Sequence, residues 1–250
     1  LAAYWRPLVN VSGDYYDALR IDDDRTLLVM GDVSGKGLGA ALVMGIVINT
    51  IRAANDKTDL AALVRACDGA IRGMGFDDKY TVLFLGLVDA EKRTLRYINA
   101  SMPDAIVVSR GVMGPVIKRL GSTMGLVGIL PIDEVPVEEL ELRSGDTILI
   151  ASDGLTEVPD DSGTQLGEAE VFESLMKKAL TMQAQDLVDV VHGRAGFQLL
   201  EKPQALLHRR QRRVGAARFL WRGVGELPRL AQRVGGPREL REHQGAVVLV

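Results

Sequence analysis

Residues 27–41 constrain the fold most, because an apolar run there ends at an acid and a glycine-rich turn follows. Four apolar residues lead to Gly31 and Asp32, and three more glycines stand at positions 35, 37 and 39. This order predicts a buried strand, a functional turn and then a helix over residues 40–54. Because that helix is apolar on nearly every face, we expect it to lie between layers of the fold.

Two further acids stand beside glycines at strand-like stretches. Asp14 precedes a predicted hairpin over residues 15–31, and Asp153 follows the apolar run 147–152. A carboxylate at the end of a buried strand is paired, hydrogen-bonded or metal-bound, because an isolated buried charge is costly. Carboxylate oxygens suit Mg²⁺ or Mn²⁺ better than zinc. The alternative for Asp32 is a structural role, as a helix cap or in ordering the turn.

Three stretches together carry a family resemblance. They are residues 12–17 (Ser-Gly-Asp-Tyr-Tyr-Asp), 31–37 (Gly-Asp-Val-Ser-Gly-Lys-Gly) and 152–157 (Ser-Asp-Gly-Leu-Thr-Glu). In order, spacing and flanking strands over residues 4–202, the chain resembles the PPM (PP2C-like) serine/threonine phosphatases, and among them the bacterial SpoIIE and RsbU branch. The resemblance implies an α+β fold, a PP2C-like α-β-β-α sandwich of two antiparallel sheets flanked by helices.

The same resemblance implies a site and a reaction. Two Mn²⁺ or Mg²⁺ ions would activate a water that attacks phosphorus in line. Asp14, Asp32 and Asp153 would be the catalytic acids that hold the metals, with the backbone carbonyl of Val33. Lys36 is a candidate contact to the substrate phosphate, the alternative being a solvated turn lysine. The implied substrate is phosphoserine or phosphothreonine on a bacterial regulatory protein, a STAS-type anti-sigma-factor antagonist.

Composition narrows the class of protein. With 250 residues, 47% of them hydrophobic, the chain suits one large domain with a real core. A net charge of −3 does not indicate a protein that binds nucleic acid or a membrane surface through its overall charge. No signal peptide or long uncharged apolar run is present, so we expect a cytoplasmic protein. The resemblance adds an upstream sensor or receiver domain in a longer protein, and a homodimer.

The period of the apolar pattern changes along the chain. Asp59 is placed to cap a second helix that ends near residues 73–75 and buries Cys67. Short turns then separate successive strand-like runs, which predicts antiparallel pairing rather than a doubly wound parallel sheet. The predicted strands are residues 80–88, 94–99, 105–109, 116–120, 135–142 and 147–151, and two helices follow over residues 167–180 and 184–194.

The chain departs from the family pattern in two places. Residues 99–103 read Asn-Ala-Ser-Met-Pro where the family has Asn-Ala-Gly-His. This difference either alters how the substrate fits or is neutral sequence drift. Residues 203–250 contain ten arginines and no aspartate, where an Asp-Asp-x-Thr strand with a metal ligand is expected. We divide the chain into a phosphatase domain at 1–202 and an Arg-rich tail at 203–250. The tail is either the product of a reading-frame change or a basic segment that binds nucleic acid or a partner. Because the expected last strand is missing from its sequence, we expect an exposed sheet edge. Residues 245–250 could nevertheless form a short strand.

Other chemistries fit the sequence less well. The turn at 31–37 is too short for a phosphate-binding P-loop, and Gly37 stands where Ser or Thr would follow the lysine. All three histidines lie at or beyond position 192, far along the chain from the acid motifs, which disfavours a Ser-His-Asp mechanism. The remaining alternative is a catalytically impaired phosphatase-like domain that binds a phosphoprotein or partner without turnover.

Overall fold

A computed structural model describes residues 1–6, 13–76, 78–156, 177–189 and 245–249. These residues include ten strands and three α-helices, and residues 177–178 and 184–189 are also helical. The strands are β1 (Ala2–Arg6), β2 (Tyr15–Arg20), β3 (Arg25–Val33), β4 (Thr81–Asp89), β5 (Thr94–Ala100), β6 (Ala105–Gly111), β7 (Gly114–Leu120), β8 (Glu138–Glu141), β9 (Thr147–Ala151) and β10 (Gly245–Leu249). The helices are α1 (Leu38–Ala53), α2 (Leu60–Gly73) and α3 (Asp153–Thr156), and residues Ala179–Thr181 form a single 3-10 turn.

The strands make two five-stranded antiparallel sheets. The first sheet has the order β1-β10-β9-β6-β7 and the second has β2-β3-β4-β5-β8. Every pairing in both sheets is antiparallel, as the short turns of the sequence predict. The predicted sandwich of two antiparallel sheets with helices outside is confirmed.

The two buried faces of β3 show how the layers stack. Leu27 and Val29 pack with α1 and α2 in one apolar cluster, whereas Leu28 and Met30 pack in a second cluster between the two sheets. Because both faces of this strand are covered, its sequence is continuously apolar rather than alternating. A third cluster joins the outer face of the first sheet to Leu187 and its neighbours in the helical segment 184–189.

The helix α2 begins and packs as its sequence predicts. The Asp59 carboxylate accepts a hydrogen bond of 2.9 Å from the amide of Ala62, which makes it the N-cap. One stripe of the helix is buried against the second sheet, and it includes Leu63, Cys67 and Ile71. The stripe is apolar at helical spacing, so the helix covers the sheet with one face and leaves the other to solvent.

The helix α1 lies on the surface, contrary to the expectation that it lies between layers. Val43 and Val47 are buried against α2 and the sheet, but Leu38 and Leu42 are 73% and 49% exposed. An apolar composition on all sides therefore did not require burial on all sides. In the part of the chain that the structure describes, no helix is long and apolar enough to cross a membrane.

The strand β10 corrects the expectation of an exposed edge. It lies between β1 and β9, with Val247 in register with both Tyr4 and Ala151. Residues 245–249 of the Arg-rich tail therefore form an internal strand of the first sheet, although they contain no carboxylate side chain. Of the two predicted helices that follow, residues 177–178 and 184–189 are described and are helical, and the rest of 167–180 and 184–194 lies outside the described residues.

Residues 99–102, where the chain departs from the family pattern, are largely built into the core. Met102 is buried between the sheets. The Asn99 side chain is also buried, and it donates to the Leu120 carbonyl and accepts from the Met102 amide. Ser101 has φ of 62°, a left-handed conformation that favours glycine.

Candidate functional site

Three acids from different elements lie near enough to one another to interact electrostatically. Asp14 stands just before β2 and is buried, Asp32 is the penultimate residue of β3, and Asp153 opens α3 after β9. Burial and the charges of Asp14 and Asp153 raise the pKa of Asp32 to about 7. Asp14 precedes a strand of the second sheet and Asp153 follows a strand of the first, so like charges from both sheets act on Asp32.

The Asp32 carboxylate is not a helix cap. The N-cap of α1 is Gly37, with φ of 77° and no side-chain hydrogen bond to the helix. The structural alternative for Asp32 as a cap of the following helix is therefore wrong. Its position between two other acids instead indicates a group that works together with them.

Gly13 lets the Asp14 segment approach the end of β3. The Val33 amide donates to the Gly13 carbonyl at 3.3 Å. A Cβ at position 13 would lie 2.6 Å from the Val33 carbonyl oxygen and 2.7 Å from Asp32 Oδ1. Only glycine permits this approach without displacing the two residues that the sequence predicts as metal ligands.

A buried hydroxyl network lies behind the acids. The Tyr15 hydroxyl is 2.9 Å from Thr81 Oγ1, which in turn lies 2.8 Å from the carbonyl oxygens of Asp32 and Val82. Because Thr81 has one hydroxyl proton to donate to these carbonyls, Tyr15 is the donor to Thr81. Burial raises the pKa of Tyr15 far above its usual value, so this hydroxyl stays protonated. The network fixes the backbone of Asp32.

Gly31 makes room for the Tyr15 ring. A Cβ at position 31 would overlap the end of that ring and would lie 2.6 Å from the Val82 carbonyl. The first glycine of the motif at 31–37 is thus a packing requirement. Sequence reasoning missed Thr81. The sequence could have indicated it, because Thr81 is a polar residue at the start of an otherwise apolar strand, and a buried polar side chain needs a hydrogen-bond partner.

The glycine-rich turn carries an exposed lysine and borders a second, covered one. Lys36 is exposed on the turn. The Lys79 side chain is only 16% exposed, and its Nζ lies 2.7 Å from Asp78 Oδ2 and 3.3 Å from where a Gly35 Cβ would be. The structure therefore adds Lys79 as a cation beside this turn, which no local pattern in the sequence indicated.

Ser34 anchors the turn and is not a nucleophile. Its amide donates to the Tyr80 carbonyl at 2.9 Å, and its hydroxyl donates to the Asp78 carbonyl at 3.0 Å. The Ser34 hydroxyl also accepts from the Tyr80 amide at 3.1 Å. These bonds hold the start of the turn against the segment before β4.

The chemistry of the donor set fits divalent cations that prefer oxygen. Asp14, Asp32 and Asp153 offer hard carboxylate oxygens, and a cation would offset the burial and the repulsion that together raise the pKa of Asp32. Within the described residues, no three His, Cys, Asp or Glu side chains are grouped tightly enough to hold one ion. An ion bound here would therefore take one or two of these carboxylates and complete its shell with water.

Comparison with known proteins identifies related sequences. The model of the family "Stage II sporulation protein E (SpoIIE)" matches residues 22–198, a range that includes Asp32 and Asp153 and begins after Asp14. Protein IcfG of Synechocystis sp. is 29% identical over 202 residues, which is 69% of this chain. The chain spans 31% of the length of IcfG.

Solved structures share the fold. The SiaA-PP2C domain of Pseudomonas aeruginosa is 21% identical, with a TM-score of 0.67 over 82% of this chain and 81% of that one. RsbX, solved in complex with magnesium, is 16% identical, with a TM-score of 0.59 over 76% of this chain and 84% of that one. Since the family model covers most of its length, the chain belongs to the SpoIIE family and has its PP2C-like phosphatase fold.

Proposed function

We propose that this chain is a Mn²⁺- or Mg²⁺-dependent phosphoprotein phosphatase domain. The observation that carries the proposal is that Asp14, Asp32 and Asp153 come from both sheets and lie close enough for Asp14 and Asp153 to add to the burial that raises the pKa of Asp32 to about 7. RsbX, which shares the fold, was solved with magnesium. Clustered carboxylates of this kind are neutralised by hard divalent cations.

Different residues of the chain would bind the ions and hold the binding residues in place. Asp14, Asp32 and Asp153, with the Val33 carbonyl, would hold two ions, and the Tyr15–Thr81 network keeps the Asp32 backbone in place. When bound, the ions supply an acidified water and neutralise charge on the phosphoryl group. No protein nucleophile is needed, which agrees with the structural role of Ser34.

The proposed substrate is phosphoserine or phosphothreonine on a bacterial regulatory protein of the STAS-type anti-sigma-factor antagonist class. Membership of the SpoIIE family supports this class. Lys36 and Lys79, beside the turn that follows Asp32, provide positive charge for an anionic phosphoprotein. An upstream sensor or receiver domain, a homodimer, a cytoplasmic location and the division at residue 202 stay predictions.

Hydrolysis of a phosphoserine protein, with Mn²⁺ titrated in, tests the proposal. The matched variant carries an Asp-Asp-x-Thr strand in place of β10, the strand that pairs with β1 and β9. Turnover by both chains means that the three aspartates suffice. Turnover by the repaired chain alone means that the fold is a phosphatase and that this chain lacks a ligand.

The negative outcome of the same experiment is equally specific. A folded chain that binds the phosphoprotein, but shows no Mn²⁺-dependent turnover even with the repaired strand, contradicts the proposal. That result would favour the phosphatase-like binding module.

A further inference from the structure

An indole hydrogen bond joins the first sheet to the acid site. Trp5 lies in β1, and its Nε1–H donates to the Asp14 carbonyl at 3.1 Å. The indole is 40% exposed, so its ring is not held by deep burial. Indole nitrogen is a donor only, and this bond satisfies it.

Three successive residues are anchored on three different strands. The Gly13 carbonyl accepts from Val33 of β3, the Asp14 carbonyl accepts from Trp5 of β1, and the Tyr15 hydroxyl bonds Thr81 of β4. Such contacts fix the peptide planes on both sides of Asp14. The direction of the Asp14 side chain depends on those planes, because backbone torsions set the orientation of the Cα–Cβ bond.

We propose that Trp5 is a positioning residue for the divalent-metal site, and this rests on the proposed phosphatase function. Its indole N–H holds the Asp14 peptide and so sets the direction of the Asp14 carboxylate, next to Gly13, which packs against Asp32. In this role Trp5 acts through the Asp14 backbone. Groups that orient metal ligands in this way commonly change metal affinity by about 10- to 100-fold when they are removed.

The position of Trp5 also ties the site to the last strand. Trp5 is in register with Ala246 of β10, and β10 pairs in turn with β9, after which Asp153 follows. Both Asp14 and Asp153 are therefore held through the same sheet. Metal affinity should therefore depend on the pairing of β1 with β10 in this sheet.

The test compares Trp5→Phe with Trp221→Phe. The first variant removes the N–H and keeps an aromatic ring, and the second removes the chain's other tryptophan. Binding of Mn²⁺ is measured from the electron paramagnetic resonance signal of the free ion, and melting is measured separately in EDTA. We expect Trp5→Phe to raise the Mn²⁺ dissociation constant about tenfold and Trp221→Phe to leave it unchanged.

The outcomes separate this inference from the function on which it rests. An unchanged dissociation constant in Trp5→Phe, with Mn²⁺ bound by the wild type, overturns the role of Trp5 and leaves the metal site standing. A wild-type chain that binds no Mn²⁺ overturns the proposed function itself. A purely structural role would lower the melting temperature in EDTA without moving the dissociation constant.

A second readout does not depend on the folding of Trp5→Phe. In Trp221→Phe, Trp5 is the one remaining tryptophan, so the emission reports its surroundings. We expect Mn²⁺ to change this emission with the same midpoint as the resonance titration. Emission that stays flat while Mn²⁺ binds would overturn the inference.

Discussion

Asp32 has opposite consequences for stability and for catalysis. Its carboxylate is partly buried beside two other acids, so its ionised form costs the metal-free protein free energy. We expect Asp32→Asn to abolish phosphatase activity and yet to stabilise the protein in EDTA by on the order of 2 kcal/mol at neutral pH. Thermal melting in EDTA and a turnover assay with Mn²⁺ measure the two effects.

The pH dependence of that stabilisation has a defined sign. The pKa of Asp32 rises from 3.8 to about 7 on folding, so the folded state binds the proton more tightly. The wild type therefore loses stability relative to Asp32→Asn as the pH rises from about 4 to about 7, and the difference levels off above that. The exposed Asp24→Asn serves as the control. Full turnover by Asp32→Asn would contradict the assignment of the site.

Ser101 occupies a backbone conformation that suits glycine better. Its φ is 62°, and its hydroxyl contact with the Met124 carbonyl is long, at 3.4 Å. We expect Ser101→Gly to raise the free energy of unfolding by about 0.5–1 kcal/mol, because the strain at Cβ is removed. Chemical denaturation measures the difference.

Ser109 provides the matched comparison for that substitution. It lies within β6, where glycine only adds freedom to the unfolded chain. Ser109→Gly should therefore destabilise the protein by about 0.5–1 kcal/mol. Equal effects of the two substitutions would show that the left-handed conformation of Ser101 carries no strain.

At the scale of elements, Asp68 ties α2 to the long loop before β8. Its Oδ1 accepts from the buried Gly128 amide at 3.0 Å, and its Oδ2 accepts from Arg72 Nε at 2.9 Å. Asp68→Ala leaves the Gly128 N–H without this acceptor, which should cost about 2–3 kcal/mol. Asp68→Asn keeps an acceptor oxygen and should cost about 1 kcal/mol or less.

Denaturant unfolding of the two Asp68 variants distinguishes the hydrogen bond from the ion pair. The loop that Asp68 holds continues into Val127, which pairs with Thr81 of the network behind Asp32. If both variants lose the same stability, the ion pair with Arg72 dominates and the bond to Gly128 is secondary.

At the scale of the whole molecule, β10 decides whether the Arg-rich tail belongs to the fold. Val247 is paired on both sides, with Tyr4 and with Ala151. Val247→Pro removes an amide from a central strand and should cost about 3 kcal/mol or more. Val247→Ala keeps the amide and is the control for the change of side chain.

Melting temperature and light scattering measure the effect on the sheet. Loss of β10 exposes the edges of β1 and β9, so we expect Val247→Pro to associate at concentrations where Val247→Ala stays monodisperse. If Val247→Pro and Val247→Ala melt together, the pairing of β10 does not contribute to stability.

Much of the candidate site could be predicted from local sequence. The apolar run before Asp32, the glycines after it and the acids at 14 and 153 are short patterns, and each is set by residues near it in the chain. The Asp59 cap and the antiparallel order of the strands follow from equally local signals. The family membership then confirmed what those motifs resembled.

Contacts between distant segments were decided by the tertiary structure alone. Lys79 borders the glycine turn, Trp5 bonds Asp14, and Leu38 and Leu42 face solvent because packing leaves that side of α1 uncovered. The pairing of β10 with β1 joins opposite ends of the chain. Local propensity and periodicity specify which segments form strands and helices, but which segments meet depends on closing the whole core, and that free energy is not local.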